Sequence, residues 1–267
     1  MTTGIPPSSP GAGRLLIEVR RVAPDLASAL APGVPVVGRA LRDAPGGGPA
    51  AGTRVAAMAP GTSVPGMTVA VEGALSVPAT LDDGAALLLP ALWPVVWWTL
   101  ADRRLAGPGE AVLVHEADTP WGLLMTALSR ELGAQPLAAT ATRDGMRRAM
   151  RAGAHDGALY TTDWPVLLRE HGGADVVLDP SHGQHLPASL GCARHGARLA
   201  ALGIAAPGQD ISIPLSALRR RGASLHAIRW DPVRHRPHAA RAARELPALV
   251  ERVRDALDAS LNLLSMP

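Results

Sequence analysis

The stretch from Gly109 to Ala134 limits the possible folds of this chain more than any other. The strand that we predict from Ala111 to Glu116 is mainly apolar, as is typical of a parallel strand covered on both faces. Apolar residues then recur at helical spacing up to Gly133, and glycine commonly ends a helix. A strand, a tight turn and a helix in this order predict the first unit of a doubly wound α/β sheet, whose turn normally admits a dinucleotide phosphate.

The turn between this strand and helix differs from a glycine-rich phosphate turn, because it keeps a single glycine, Gly122. Pro120 has no amide hydrogen to donate, and Trp121 adds bulk where glycine would let the backbone approach a pyrophosphate. Thr119 as N-cap before Pro120 is a favourable helix start in its own right. Asp118 places a carboxylate near the helix N-terminus, where a phosphate would otherwise lie. The pattern predicts a nucleotide-binding scaffold with a rebuilt phosphate turn.

Strand and helix patterns alternate regularly after this unit, which predicts the α/β class with a six-stranded doubly wound parallel sheet of Rossmann type. Right-handed crossovers then favour the strand order 3-2-1-4-5-6. The predicted strands after the first are Pro136–Ala141, Asp156–Thr161, Ala174–Asp179, Arg198–Ile204 and Ala223–Trp230. The predicted helices between and after them are Asp144–Arg151, Trp164–His171, Pro187–Arg194, Pro214–Arg221 and Arg241–Leu264.

The residues before this sheet predict two further regions. Residues 1–13 are rich in Pro, Gly and Ser and lack a basic start and an apolar core, so we expect a disordered lead rather than a signal peptide. We expect residues 14–105 to form a smaller β-rich domain, and residues 106–267 to form the Rossmann-type domain. Short strands of the smaller domain are predicted at Leu15–Val19, Val34–Leu41, Arg54–Met58 and Met67–Glu72.

The most apolar segment, Ala85–Leu100, lies in a predicted helix from Asp83 to Asp102. Pro90 and Pro94 interrupt this segment, and we expect it to be too short to span a bilayer, so no membrane is among the expected partners. The spacing of its tryptophans favours packing in the core over a platform for a ligand, and these are Trp93, Trp97 and Trp98.

Composition narrows the function classes further. Hydrophobic residues make up 47% of the chain and charged residues 18%, which is typical of a globular protein. The pI is near 10.2, but the formal net charge is only +3 and the chain has no lysine, so the high pI reflects arginines that little else buffers. It therefore does not indicate a nucleic-acid partner. Cys192 is the only cysteine, which predicts no disulfide framework and a reducing cytoplasm.

Several motifs occur in a characteristic order, namely Gly52-Thr53-Arg54-Val55, Pro90 with the tryptophan-rich helix, Gly109–His115, Leu132-Gly133-Ala134, Gly153-Ala154, Ala174–Asp179 and Gly196-Ala197-Arg198 with Gly203. In this order the chain resembles the medium-chain dehydrogenase/reductase superfamily, and within it the enoyl reductase domains of modular polyketide synthases. The resemblance covers residues 14 to 235. It implies a GroES-like β-rich domain beside the Rossmann-type domain, an NADPH cleft between them, and reduction of an α,β-unsaturated thioester by hydride transfer.

The resemblance also implies where site residues lie in this sequence. The family's phosphate turn corresponds to Thr119, Pro120, Trp121 and Gly122. Thr142, Arg143, Arg147 and Arg148 follow the second strand, where the 2′-phosphate lies in NADP-binding members. The alternative for these arginines is a solvated helix face. Asp156 lies near a family position whose acidic residue is implicated in catalysis, and the alternative is a surface turn residue.

Three further departures from the family bear on activity. The segment Ala23–Gly38 carries no tyrosine where members have a proposed proton donor, and no lysine follows the second strand. Members also return after the last helix with a strand that this sequence does not show before Pro267. Two functions compete. One is a non-reducing pseudo-domain, or a pocket reused to bind and cyclise a polyketide intermediate, either free or on a carrier protein. The other is an active NADPH-dependent enoyl-thioester reductase.

Two further features concern metals and assembly. His182, His185, Cys192 and His195 include ligand types that zinc uses, but their spacing is a weak zinc signal, and we predict no metal site. The last predicted strand, Ala223–Trp230, would form an edge of the sheet. Unprotected apolar edges pair with other chains, so we expect a homodimer through this strand.

Overall fold

The computed structural model describes residues 14–23, 33–44, 48–59, 61, 63–202, 211–231 and 234–264, with side chains as far as residue 259. The predicted lead and the middle of the segment 23–38 lie outside the described residues. Contacts divide the described chain into two compact units. One runs as far as Pro94 and takes in the last helix up to Glu251, and the other begins at Val95 and takes in that helix from Arg252.

The first unit contains a five-stranded antiparallel sheet with the order β4-β1-β2-β3-β5. Apolar residues alternate along β1, so that Leu15, Ile17 and Val19 enter the core while their neighbours face out. Gly38 allows β2 to lie against β1, because a Cβ there would meet the carbonyl oxygen of Glu18 at 2.2 Å. The strands are β1 Leu15–Val22, β2 Val34–Ala40, β3 Arg54–Ala59, β4 Thr68–Val71 and β5 Leu75–Ser76.

Helix α1, Asp83–Trp97, continues into a π-helical turn, Trp98–Asp102. Pro90 and Pro94 lie inside the helix, so the expectation that they interrupt it is wrong. The 20 residues are long and apolar enough to cross a membrane by length and composition, but 89% of their most apolar window is buried inside the protein, as in a core helix. The predicted packing role of the tryptophans is confirmed, since Trp93, Trp97 and Trp98 are all buried.

The second unit contains a six-stranded sheet with the order β11-β10-β9-β6-β7-β8, in which every pair is parallel. This is the predicted 3-2-1-4-5-6 order, and the predicted α/β doubly wound fold is confirmed. The strands are β6 Ala111–Val114, β7 Gln135–Thr140, β8 Asp156–Leu159, β9 Ala174–Asp179, β10 Ala193–Leu202 and β11 Ser224–Ile228. The helices are α2 Pro120–Glu131, α3 Arg143–Arg151, α4 Trp164–Glu170, α5 Leu186–Ser189, α6 Leu215–Arg221 and α7 Arg236–Leu264.

Two predicted helices differ from those observed. The helix predicted at Pro187–Arg194 is a single turn, because Cys192 already joins the sheet by accepting from the amide of Ala174 at 2.9 Å. Strand β10 therefore starts at Ala193, well before the predicted Arg198. The last helix begins at Arg236, earlier than the predicted Arg241. The loops at the carboxyl ends of β6 to β9 are unaffected, and these loops hold the residues considered next.

Candidate functional site

The turn between β6 and α2 is closed by its own side chains. The Thr119 hydroxyl accepts from the amide of Gly122 at 3.2 Å and donates to the carbonyl oxygen of Glu116 at 2.8 Å. Pro120 occupies the first position of the helix. The predicted N-cap and helix-start proline are therefore both present. Of the amides that open α2, one is missing at Pro120 and one is occupied by the Thr119 cap.

Gly122, the single glycine left in the turn, is required by packing. A Cβ at this position would lie 2.1 Å from the carbonyl oxygen of Glu116 and 2.6 Å from the Cα of Ala117. Both are backbone atoms, so relieving the clash would require the turn itself to shift. In dinucleotide-binding turns the last glycine serves this close contact of helix and strand, whereas the earlier glycines serve the pyrophosphate. Gly122 therefore has the packing role that the last glycine has in the motif.

The carboxylate of Asp118 points toward the neighbouring turn, which joins β7 to α3. It accepts from Arg148 Nη2 at 3.2 Å, and both side chains are mostly buried. A Cβ on Gly145, at the start of α3, would lie 2.2 Å from an Asp118 carboxylate oxygen. Thr142 caps α3 by accepting from the amide of Gly145 at 3.0 Å. Asp118 therefore links the two turns at which the family would hold pyrophosphate and 2′-phosphate.

The predicted phosphate-binding arginines lie on different sides of α3. Arg143 is exposed, and Arg147 forms an exposed ion pair with Asp144. Arg148 is the arginine that faces the turn after β6, where Asp118 already neutralises its charge. A role of Arg143 or Arg147 in binding a cofactor stays a prediction, and their positions match the alternative of a solvated helix face.

Asp156 begins β8, so it lies at the amino edge of the sheet, opposite the two turns. Its carboxylate forms an ion pair with His171 Nδ1 at 2.6 Å and accepts from the amide of Gly157 at 2.7 Å. Ligands of doubly wound sheets bind at the carboxyl edge. The structure therefore does not bring Asp156 together with the other predicted site residues, and its catalytic role remains a prediction.

A chain of hydrogen bonds that the sequence did not predict joins the carboxyl ends of β6 and β8. Ser189 Oγ donates to the carbonyl oxygen of His185 at 2.8 Å, so its lone pair accepts from His115 Nε2 at 2.8 Å. His115 Nδ1 is then an acceptor, and the Tyr160 hydroxyl donates to it at 3.0 Å. The Tyr160 oxygen in turn accepts from the amide of Glu116 at 2.9 Å. Every group in this relay has a partner of the correct polarity.

The rings of this relay pack against one another. The ring of His185 stacks on that of Tyr160 at 4.5 Å and on that of His115 at 4.7 Å, and Trp164 meets His115 edge-on at 5.0 Å. Burial, followed by the neighbouring His185, lowers the pKa of His115 well below its usual value. Burial also raises the pKa of Tyr160 and lowers that of His185, where Asp179 opposes the effect. His115 and Tyr160 are thus held neutral.

Asp179 ends β9, next to β6, and is fully buried. Its carboxylate accepts from the amide and hydroxyl of Ser181 and, at 2.8 Å, from the amide of His185. These bonds compensate the buried charge and fix the loop that carries His185. The sequence did contain a signal for the group formed by His115, Tyr160 and Asp179, because polar residues at the ends of apolar parallel strands meet at one edge of the sheet. The sequence did not indicate which of them touch.

The residues at this edge do not fit the pyrophosphate of NADPH. Pro120 offers no amide, the Gly122 amide is bonded to Thr119, and Asp118 presents a carboxylate that is held by Arg148. Among the described residues no group of three or more His, Cys, Asp or Glu side chains lies close enough to hold a metal ion. Cys192, considered as a zinc ligand, is buried, and burial raises its pKa to about 11.

The chain matches no protein-family model. It is 29% identical over 154 residues to a polyketide synthase of Streptomyces halstedii, which covers 58% of this chain and 3% of that protein. It is 31% identical over 140 residues to 2-haloacrylate reductase of a Burkholderia species, which covers 49% of this chain and 41% of that enzyme. The chain therefore spans less than half the length of either relative.

Solved structures give broader coverage. The quinone oxidoreductase of Thermus thermophilus, solved alone and with NADPH, superposes with a TM-score of 0.73 at 26% identity, covering 95% of this chain and 84% of that one. The parallel sheet and the antiparallel sheet before it are the two sheets that the sequence resemblance implies. In fold and in sequence the chain is therefore similar to enoyl-reductase-like proteins of the medium-chain dehydrogenase/reductase superfamily.

Proposed function

We propose that this chain is a non-reducing member of its superfamily, which does not hold NADPH and uses the carboxyl edge of its parallel sheet to bind a polyketide intermediate and promote its cyclisation or isomerisation. The intermediate is a thioester, free or attached to a carrier protein. The cytoplasm, predicted from the lone Cys192, is the expected location.

The observation that carries the proposal is the closed turn at the start of α2. A dinucleotide site needs free amides and space at this point, and an anion there benefits from the positive end of the helix dipole. Here Pro120 removes one amide, Thr119 occupies another, and the ion pair of Asp118 with Arg148 adds a carboxylate beside them. Each of these features opposes a phosphate, and together they account for the fixed conformation of the turn without a ligand.

The relatives support this substrate class. Polyketide synthases extend and modify acyl thioesters, and this chain is similar to segments of such proteins from Streptomyces and Mycobacterium. The carboxyl edge that a nucleotide would otherwise cover carries titratable side chains instead, including His185, Glu116 and Tyr160. Groups of this kind suit proton transfer on a carbonyl compound without a redox cofactor.

The competing function is an NADPH-dependent enoyl-thioester reductase with an unusual turn. It is favoured by the likeness to the Thermus thermophilus quinone oxidoreductase, whose structure includes an NADPH complex. The two functions make opposite predictions for the affinity of the unmodified chain for NADPH, so one binding measurement separates them.

The test is a titration with NADPH followed by nicotinamide fluorescence. The wild type should bind more weakly than about 1 mM, which corresponds to roughly 4 kcal/mol. The combined changes Asp118→Ala, Thr119→Gly, Pro120→Gly and Trp121→Val should tighten binding at least tenfold, because they restore amides, free space and remove the opposing charge. Pro165→Gly, which replaces a proline in the first turn of α4, is the matched control and should leave binding unchanged.

Reduction of a crotonyl thioester should stay near background in both the wild type and the opened variant, since the turn changes supply no proton donor. Tight NADPH binding by the unmodified chain, together with turnover of that thioester, would refute the proposal and establish the reductase.

A further inference from the structure

Glu116 differs from the other carboxylates at the carboxyl edge in having no partner. Asp118 pairs with Arg148, and Asp179 accepts from Ser181 and His185. Within the part of the chain that the structure describes, the half-buried carboxylate of Glu116 accepts no hydrogen bond and forms no ion pair. No protein group among the described residues therefore occupies the Glu116 carboxylate, and its exposed half is open to solvent or to a ligand.

The surroundings of Glu116 favour its protonated form. Burial is the largest cause that raises its pKa, followed by the charges of Asp179 at the end of β9 and Asp118 in its own turn. His182, in the loop after β9, partly opposes them. A carboxyl group whose pKa moves toward neutrality is better matched to taking and returning a proton near physiological pH.

The backbone of Glu116 is held firmly in a conformation that is unusual for this residue type. Its φ of +45° lies in the left-handed region, which is unfavourable for a non-glycine residue. Its amide donates to the Tyr160 hydroxyl at 2.9 Å, and its carbonyl accepts from both the amide and the hydroxyl of Thr119. These bonds offset the strain and fix where the side chain begins.

Glu116 also lies where doubly wound sheets bind their ligands. It directly follows His115 at the end of β6, and β6 is the strand at which the strand order reverses toward β9. Ligands occupy the region outside the carboxyl ends of the strands at such a reversal. An unpaired carboxylate, a fixed backbone and this position together carry an inference about chemistry.

We propose that Glu116 is a general base that shifts the double bond of a β,γ-unsaturated acyl thioester into conjugation, a step that rests on the proposed function for its thioester substrate. The carboxylate takes a proton from the α-carbon, and the C–H electron pair delocalises through the double bond and the thioester carbonyl. The resulting carboxylic acid returns the proton to the γ-carbon, and the double bond moves from β,γ to α,β. Atoms and electrons balance without any oxidant, reductant or nucleotide.

The test uses the full chain and the N-acetylcysteamine thioester of but-3-enoic acid, followed by proton NMR in D₂O without nucleotide. Wild type should convert it to the crotonyl thioester and place deuterium at the α- and γ-carbons faster than buffer does. Glu116→Gln should lower this rate by about 100-fold or more, the usual contribution of a general base. Glu131→Gln removes a carboxylate from the far end of α2 and should leave the rate unchanged.

Further measurements separate a catalytic role from a structural one. The rate should rise with pH through an inflection above the ordinary range of a glutamate, because the carboxylate form is required. Glu116→Asp keeps the carboxylate but shortens its reach, so it should retain part of the rate, and it serves if Glu116→Gln does not fold. A wild-type rate equal to that of buffer, or a Glu116→Gln rate equal to wild type, would overturn the inference.

The same protein is titrated with NADPH, so that failure of the proposed function is seen independently. Tight NADPH binding would refute the proposed function, whatever the isomerisation rate. A wild type that neither binds NADPH nor moves the proton would overturn the inference alone.

Discussion

The hydroxyl of Tyr160 is the central group of the relay, and its removal gives the most direct test of the site geometry. It donates to His115 Nδ1 at 3.0 Å and accepts from the amide of Glu116 at 2.9 Å. Tyr160→Phe keeps the ring and its stacking on His185 while leaving both partners unpaired. A buried polar group without a partner costs about 1–3 kcal/mol, so the two together set an upper range of roughly 2–6 kcal/mol.

The expected loss lies toward the lower end of this range. Tyr160 is only partly buried, so water can reach the space left by its hydroxyl and satisfy one of the two groups. We expect the free energy of unfolding to fall by about 2–3 kcal/mol. At about 2–4 °C per kcal/mol for a chain of this size, the melting temperature should fall by about 4–12 °C.

Urea unfolding followed by tryptophan fluorescence measures this loss, and hydrogen exchange locates it. The amide of Glu116 should exchange faster in Tyr160→Phe, because its acceptor is gone. Thr162→Val is the matched control, since it removes an exposed hydroxyl that bonds the carbonyl oxygen of the nearby Leu159. If Tyr160→Phe destabilises the protein no more than Thr162→Val does, the two hydrogen bonds assigned to the Tyr160 hydroxyl do not contribute to stability as proposed.

Two further predictions concern assembly and pH. Leu225 on the edge strand β11 is 46% exposed, and we expect a homodimer through this edge at tens of micromolar. Leu225→Glu should convert the dimer to a monomer. A wild type that is monomeric by light scattering would contradict this prediction. Burial lowers the pKa of His115 in the native chain. Below about pH 6.5 the unfolded chain therefore binds a proton on this histidine that the native chain does not bind. The free energy of unfolding should be greatest above this pH and should decline as the pH falls. His115→Gln should flatten the decline between pH 7 and pH 5, and an equal slope in both proteins would exclude His115 as its cause.

The fold was largely predictable because its signals are local. The mainly apolar run at β6 indicates a strand covered on both faces, and Gly133 follows the end of α2 with a φ of +83°. Each later strand repeats the same pattern, and the handedness of crossovers then leaves one order. The errors arose where a local signal was overridden. Pro94 does not stop α1, whose neighbouring residues are buried, and Cys192 leaves the predicted helix because it pairs with β9.

The site was less predictable because its contacts are not local. His115, Tyr160 and Ser189 are far apart in sequence, and each has an ordinary structural explanation when taken alone. They meet because β6, β8 and the loop after β9 end at one edge of the sheet, and sequence spacing does not show which side chains then touch. At the site, the sequence did predict the Thr119 cap and Pro120 at the start of α2, because the bonds of that cap join residues within four positions of one another.

The turn after β6 shows why a surviving glycine is poor evidence for a bound nucleotide. In the usual motif the glycines serve two needs at once, approach of the pyrophosphate and close contact of helix and strand. This chain separates them. Gly122 remains because a Cβ there would lie 2.1 Å from the carbonyl oxygen of Glu116 in the turn after β6, which the fold forbids with or without a ligand. Thr119 and Pro120 replace glycines where only a phosphate needed them, and they stabilise the helix start instead. Retention of Gly122 is therefore explained by packing alone, and it carries no information about a bound nucleotide.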